Sequence, residues 1–152
     1  MLEHGEEAHI INTSSIAGVR RYPGLHPMAL YATTKFAVVG LSKTLATEME
    51  DTQIGVSVLC PDKTQSNLFT VGRNRPQSYG GAYKNISYTA ISTLLEEGLM
   101  TERLGARIID AVKADEFYIF SHPENRAQVE ACHDRIIDGF ENLDRWLFSH
   151  PD

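Results

Sequence analysis

Tyr31 and Lys35 stand four positions apart in Leu30-Tyr-Ala-Thr-Thr-Lys-Phe36, at the start of a long helical stretch. Residues i and i+4 share a helix face, so this spacing lays an ammonium under a phenol. A tyrosine, titrating at about 10, is a poor proton donor or acceptor at neutral pH. A neighbouring cation favours the phenolate, lowers that pKa and brings the hydroxyl closer to acid–base work. Alone, such a pair is more often a surface ion–aromatic contact than a reaction centre. Here it stands downstream of Asn12-Thr-Ser-Ser15, whose hydroxyls can donate to a substrate oxygen.

Those side chains need a scaffold. His9-Ile-Ile-Asn-Thr-Ser-Ser-Ile-Ala-Gly18 reads as a buried strand emptying into a loop of small residues. Ile54-Gly-Val-Ser-Val-Leu-Cys-Pro61 reads as a second strand, stopped by proline. Between them, Tyr31 to Glu50 has helical periodicity, with Ala37, Leu41, Leu45 and Met49 as the expected inward stripe. Strand, loop, helix and strand make a βαβ unit, and ligands of open parallel sheets bind at the carboxyl ends of strands. Ser15, Tyr31 and Pro61 are expected at that edge. Adjacent strand residues point to opposite faces, so only one of Ser14 and Ser15 faces the site.

With these residues in hand, the stretch from His9 to Phe69 resembles the short-chain dehydrogenase/reductase family. The family's strand-end serine matches Ser15, and its Tyr-x-x-x-Lys matches Tyr31 and Lys35. Its proline–glycine segment matches Pro61-Asp-Lys-Thr-Gln-Ser66. Thr101 to Lys113, followed by Phe117-Tyr-Ile-Phe-Ser-His-Pro123, resembles the family's last helix and strand. The resemblance implies an α/β fold, the C-terminal portion of a Rossmann-like doubly wound parallel sheet. It also implies hydride transfer between NAD or NADP and a small-molecule carbonyl or alcohol, in an enzyme that is homo-oligomeric at full length. Ser15 would orient the substrate oxygen, Tyr31 would act as acid and base, and Lys35 would lower the Tyr31 pKa and hold the cofactor ribose. Tyr31, Lys35, Pro61, Thr64 and Ser66 would contact the cofactor.

The sequence departs from the family pattern in three places. A dinucleotide fold opens with a strand, a glycine-rich turn and a helix whose N-terminus takes pyrophosphate. Nothing before His9 supplies that, and Gly80-Gly81 follows no strand. Residues 1–152 therefore read as one partial domain, the catalytic half, with a variable substrate segment at about 62–100. Ser15 and Tyr31 also lie further apart than the family usually has them, through Arg20-Arg-Tyr-Pro-Gly-Leu-His-Pro27. Asp62 replaces the family's glycine; a positive φ there would carry a cost, and its carboxylate would repel a phosphate. Two function classes follow: a truncated oxidoreductase, or a non-catalytic truncated relative acting as a partner subunit or interaction module.

Composition narrows the partners. A formal net charge of −6 over 152 residues argues against nucleic acid, which calls for a basic patch. Arg20-Arg21 and Arg73-Asn-Arg75 are the densest cationic spots and read as solvated loops. No apolar run approaches the ~20 residues of a membrane helix, and no cleavable signal precedes His9. A cytoplasmic protein without membrane contact is expected. Cys60 and Cys132 have no metal-ligand spacing, and Cys60 closes a strand, so a reduced core thiol is expected. The histidines are scattered; His26 lies in the long loop, a surface residue or a substrate contact. Asn12-Thr-Ser14 and Asn85-Ile-Ser87 match the glycosylation sequon by chance. Phe69, Tyr79, Tyr83 and Met100 either line an apolar substrate pocket or anchor a long loop. Helices are expected from about Tyr88 to Leu99, over 101–114 and over 125–140. Trp146, Leu147 and Phe148 should pack down or contact a neighbouring subunit.

Overall fold

Two β-branched runs pair first. β1 (Ala8–Thr13) and β2 (Ile54–Cys60) run parallel, in register from Ala8 opposite Ile54 to Thr13 opposite Leu59. β3 (Tyr118–Phe120) adds parallel to the other edge of β2, with Val58 opposite Tyr118, giving the sheet order β1-β2-β3. The computed structural model describes residues 1–3, 5–21, 28–82 and 97–151. His26, Tyr83, Asn85 and the expected helix from about Tyr88 lie outside the described residues, as does the Phe69 side chain. Leu99 is described, and it forms a bridge with Thr64 rather than a helix end.

Parallel strands need crossovers, and helices supply them. α1 (Ala29–Glu48) joins β1 to β2, and α2 (Thr101–Lys113) leads into β3. Side chains alternate across a strand, so β2 feeds two cores. Val58 and Cys60 point to the α1 side, where they pack with Ile16, Val19 and Val39. Leu59 points to the other side, with Ile119 of β3 and Leu104 and Ala111 of α2. Helices on both faces of a parallel sheet are the doubly wound arrangement the sequence implied. Burial of one such aliphatic side chain is worth about 1.5–3 kcal/mol.

The inward face of α1 keeps the second half of the expected stripe, with Leu45 and Met49 half-buried, and departs from the first half. Val39 and Ser42 are buried and Val38 is half-buried, whereas Ala37 and Leu41 face outward. A spacing of four throughout drifts around the helix, and the true contact line steps by three and four. Ser42 can sit inside because its hydroxyl is satisfied, donating to Val38 O (2.7 Å) and accepting from Asn12 Nδ2 (3.1 Å). The buried Ser57 is satisfied likewise: its proton goes to Glu116 O, so His9 Nε2 donates to its oxygen.

The helix ends are local chemistry. Thr52 closes the α1–β2 turn, its hydroxyl donating to Met49 O and accepting from Ile54 N. α2 ends in a Schellman turn, with Asp115 N–H on Val112 O, Glu116 N–H on Ala111 O, and Asp115 at φ +52°. The last helix, α3 (Arg126–Ser149), runs nine residues beyond the expected end. Trp146, Leu147 and Phe148 do not pack down; all three are exposed on it.

Candidate active site

β1 delivers Ser14 and Ser15 at its carboxyl end, and the chain then tightens into a 3₁₀ turn at Ile16–Gly18. Two backbone bonds fasten that turn to the end of β2: Ser14 N–H on Leu59 O (2.8 Å) and Ile16 N–H on Pro61 O (2.9 Å). Ser14 and Ser15 divide as strand alternation requires. The Ser14 hydroxyl is spent on the backbone of α1, donating to Lys35 O at 2.8 Å. The Ser15 hydroxyl caps the turn by accepting from Ala17 N at 3.1 Å, which leaves its own O–H to donate.

Tyr31 and Lys35 sit in the first turns of α1. Lys35 Nζ lies 5.7 Å from the centre of the Tyr31 ring and donates to Thr13 O, the last carbonyl of β1, at 3.3 Å. An ammonium has three donors, so two remain for other oxygens. Tyr31 is 39 % exposed. The fixed point is the backbone at Lys35, held by Ser14 and approached so closely by Gly18 that a Cβ there would stand 2.6 Å from Lys35 O.

The segment after β2 runs along the same edge. Pro61 is half-buried. Thr64 turns its hydroxyl onto Asp62 O (3.1 Å) and pairs with Leu99, while Ser66 is exposed. Asp62 has no positive φ, so the expected backbone strain is absent. Its carboxylate is engaged instead: Asn125 Nδ2 donates to it at 2.8 Å and Arg20 Nη2 lies 3.9 Å away. Arg20 is no solvated loop residue. It is buried, and it also donates to Gln128. Only Arg21 of that pair is exposed, as are Arg73 and Arg75. Sequence reasoning missed this network, since Asn125 and Gln128 lie more than a hundred positions from Arg20. It missed the Gly18 contact too, although a glycine three residues after a strand-end serine was the available signal.

Cys60, at the end of β2, is a buried free thiol, as expected. Burial pushes it up to about 11, against a backbone hydrogen bond involving Ser15 and the Lys35 charge. Tyr79 and Met100 are 69 % and 57 % exposed. A cleft of about 600 Å³ lies elsewhere, beyond β3, lined by residues including Leu99, Arg103, Phe120 and His122. It contains none of Ser15, Tyr31 and Lys35. Arg107, on its wall, reaches Glu116 with both guanidinium ends and holds that carboxyl below its ordinary range. Among the described residues there is no cluster of metal ligands, and no helix is long and apolar enough to cross a membrane.

Comparison with known proteins agrees with this geometry. A family model for short chain dehydrogenase matches residues 1–76. The C alpha-dehydrogenase of Sphingobium sp. is 31 % identical over 141 residues, 91 % of this chain and 45 % of that protein. The CLA biosynthesis dehydrogenase/reductase of Lactiplantibacillus plantarum is 27 % identical over 147 residues, 90 % of this chain and 50 % of its own. A short chain dehydrogenase/reductase from Burkholderia phymatum, solved in complex with NAD, superposes with a TM-score of 0.75 at 30 % identity, covering 90 % of this chain and 50 % of that one. The chain thus spans about half the length of the relatives it matches. With the match falling on the segment that carries Ser15, Tyr31 and Lys35, the chain belongs to the short-chain dehydrogenase/reductase family.

Proposed function

We propose that this chain carries the acid–base half of an oxidoreductase that interconverts a carbonyl and an alcohol. The observation that supports this most directly is Lys35 held beside the Tyr31 ring and tied to Thr13 O, with two of its N–H donors unspent among the described residues. Those donors suit the ribose hydroxyls of a nicotinamide cofactor, NAD or NADP, and the Pro61, Thr64 and Ser66 segment on the same edge suits its nicotinamide end. Bound there, the cofactor supplies the hydride in one direction and accepts it in the other.

The chain's own residues handle the oxygen and its proton. Ser15 donates its O–H to the substrate oxygen and orients it. Tyr31 gives its proton to that oxygen as negative charge develops during reduction, or takes the proton from the alcohol during oxidation. Lys35 stabilises the phenolate left on Tyr31, which regains its proton from solvent through its exposed side. The substrate is a small molecule. Groups that would hold the rest of a dinucleotide fall to chain beyond this sequence, in an enzyme proposed to be homo-oligomeric.

The test begins with the intact mass of the native protein, captured from its source with an antibody to α3. A mass about twice the 17.0 kDa of this sequence supports a longer enzyme. That protein is then assayed with NADH and NADPH against a panel of ketones and aldehydes. Tyr31→Phe should lower turnover by about 10²–10⁴-fold without changing the melting curve. Unchanged turnover in Tyr31→Phe would overturn the assignment. Absence of turnover in the unaltered protein would favour a non-catalytic partner subunit.

A further inference from the structure

The end of α3 leaves the body of the protein. Its start is anchored, with Asn125 on Asp62, Gln128 on Arg20 and Val129 against the α1-side core. From His133 to Ser149 every residue is exposed. At ~1.5 Å per residue, that stretch projects about 25 Å. It is not polar all round. Ile136, Phe140, Leu143 and Leu147 fall within an arc of roughly 60° on a 3.6-residue helix, and each is 49–63 % exposed. Trp146 widens the stripe on one side and Ile137 on the other.

We infer that this stripe pairs antiparallel with the same stripe of a second copy. The first ground is its spacing. The intervals from Ile136 through Phe140 and Leu143 to Leu147 are four, three and four, the same from either end. A partner running the opposite way presents the identical row, and a twofold axis falls between Phe140 and Leu143. Ile136 then meets the partner's Leu147, and Phe140 meets the partner's Leu143. That is the self-complementarity an isologous interface requires.

The second ground is Gly139. A glycine inside a helix costs roughly 0.5–1 kcal/mol relative to alanine, and nothing among the described residues lies within 4 Å of a Cβ placed there. Packing among the described residues gives it no purpose. It lies on the Trp146 side of the stripe, and in an antiparallel pair like sides face each other. The missing side chain leaves room for the partner's indole.

Area and charge complete the argument. Fully burying side chains of this size covers roughly 150–250 Å² each, so the exposed fraction of the stripe and its flanks offers on the order of 700 Å² per copy. Stable interfaces bury about 800 Å² per partner. A lipid surface fits poorly, because interfacial membrane helices are rich in lysine and arginine. α3 carries five carboxylates against three arginines.

The mass of the purified chain, measured by light scattering across a dilution series, tests the inference independently of any catalytic role. The expected result is concentration-dependent doubling from 17.0 kDa. Phe140→Asp with Leu143→Asp should raise the dissociation constant at least about a hundredfold, with the helical content unchanged because both positions are exposed. Phe140→Cys with Leu143→Cys should yield a covalent dimer on oxidation, and Asp138→Cys, on the outer face, should not. A 17.0 kDa species at every concentration would overturn the inference. So would association that survives the paired aspartates, or recruitment of α3 to phosphatidylcholine vesicles in place of self-association.

Discussion

Gly18→Ala is a small change at the point where the strand-end turn meets the helix that bears Tyr31 and Lys35. A Cβ at Gly18 would stand 2.6 Å from Lys35 O, 2.9 Å from Lys35 C and 2.5 Å from Ser14 Oγ. Ordinary contact begins at 3.4 Å, so the Lys35 backbone must retreat about 0.8 Å or the turn must open by as much. Either movement stretches the 2.8 Å bond from Ser14 Oγ to Lys35 O. Overpacking of this kind costs about 1–3 kcal/mol. At about 2–4 °C per kcal/mol for a chain of this size, the melting temperature should fall by about 2–12 °C. A misplacement approaching 1 Å between catalytic groups costs about 10²-fold in rate, so turnover in the whole enzyme should drop further than stability alone explains. Gly40→Ala is the control. It lies in the same helix with open space at its Cβ position and should be neutral or stabilising by up to about 1 kcal/mol. Urea unfolding followed by circular dichroism reads both variants. A Gly18→Ala midpoint equal to that of the unaltered chain, or matched losses at Gly18 and Gly40, would refute the reasoning.

Three further outcomes can be checked on the same chain. Asp62→Ala should destabilise by about 1–3 kcal/mol in urea titrations, because it strands the buried Asn125 amide and takes the carboxylate from beside the buried Arg20. Asp115→Gly relieves a positive φ of +52° at the end of α2 and should raise the unfolding free energy in urea titrations by up to about 1 kcal/mol. Cys60 binds its proton more tightly in the folded chain, at about 11 against an ordinary 9.0. Its contribution is therefore complete below pH 9 and fades as pH rises through about 11. The urea midpoint should fall between pH 8 and pH 10, less steeply in Cys60→Ala, and a maleimide should leave Cys60 unmodified until the chain unfolds.

Local chemistry made the sheet edge that carries the candidate site legible. Tyr31 and Lys35 are four apart on one helix, and the strands that flank them are β-branched runs ended by serine and proline, so spacing alone located the edge where they meet. Alternation required only that one of Ser14 and Ser15 face the site, the family resemblance favoured Ser15, and the structure gives each hydroxyl a separate partner. Contacts made across the sheet were not legible. The α1 stripe was half right: Leu45 and Met49 are half-buried, but the interval of four carried it back to the exposed Ala37 and Leu41, while burial there follows Val38, Val39 and Ser42. A buried serine gives no hydrophobic signal; its place depends on Asn12, thirty positions away. Arg20 read as solvated for the same reason: the groups that let a guanidinium be buried come from the far end of the chain. The extent of α3 was underestimated: the expected helix stopped at residue 140, and the structure carries it to Ser149.

Lys35 is tied to β1 twice, through its backbone carbonyl to Ser14 and through its ammonium to Thr13 O. The proposed reaction centre is therefore also a stitch between the first strand and the first helix, and a ligand there would tighten that stitch. Occupancy and unfolding are linked by mass action: a ligand at about 100 times its Kd adds about 2.7 kcal/mol, or about 5–10 °C in melting temperature. Cofactors and candidate carbonyls can thus be ranked by heating the protein in their presence, before any turnover is seen. A compound that raises the melting temperature of the unaltered chain but not of Lys35→Ala identifies itself as an occupant of this site.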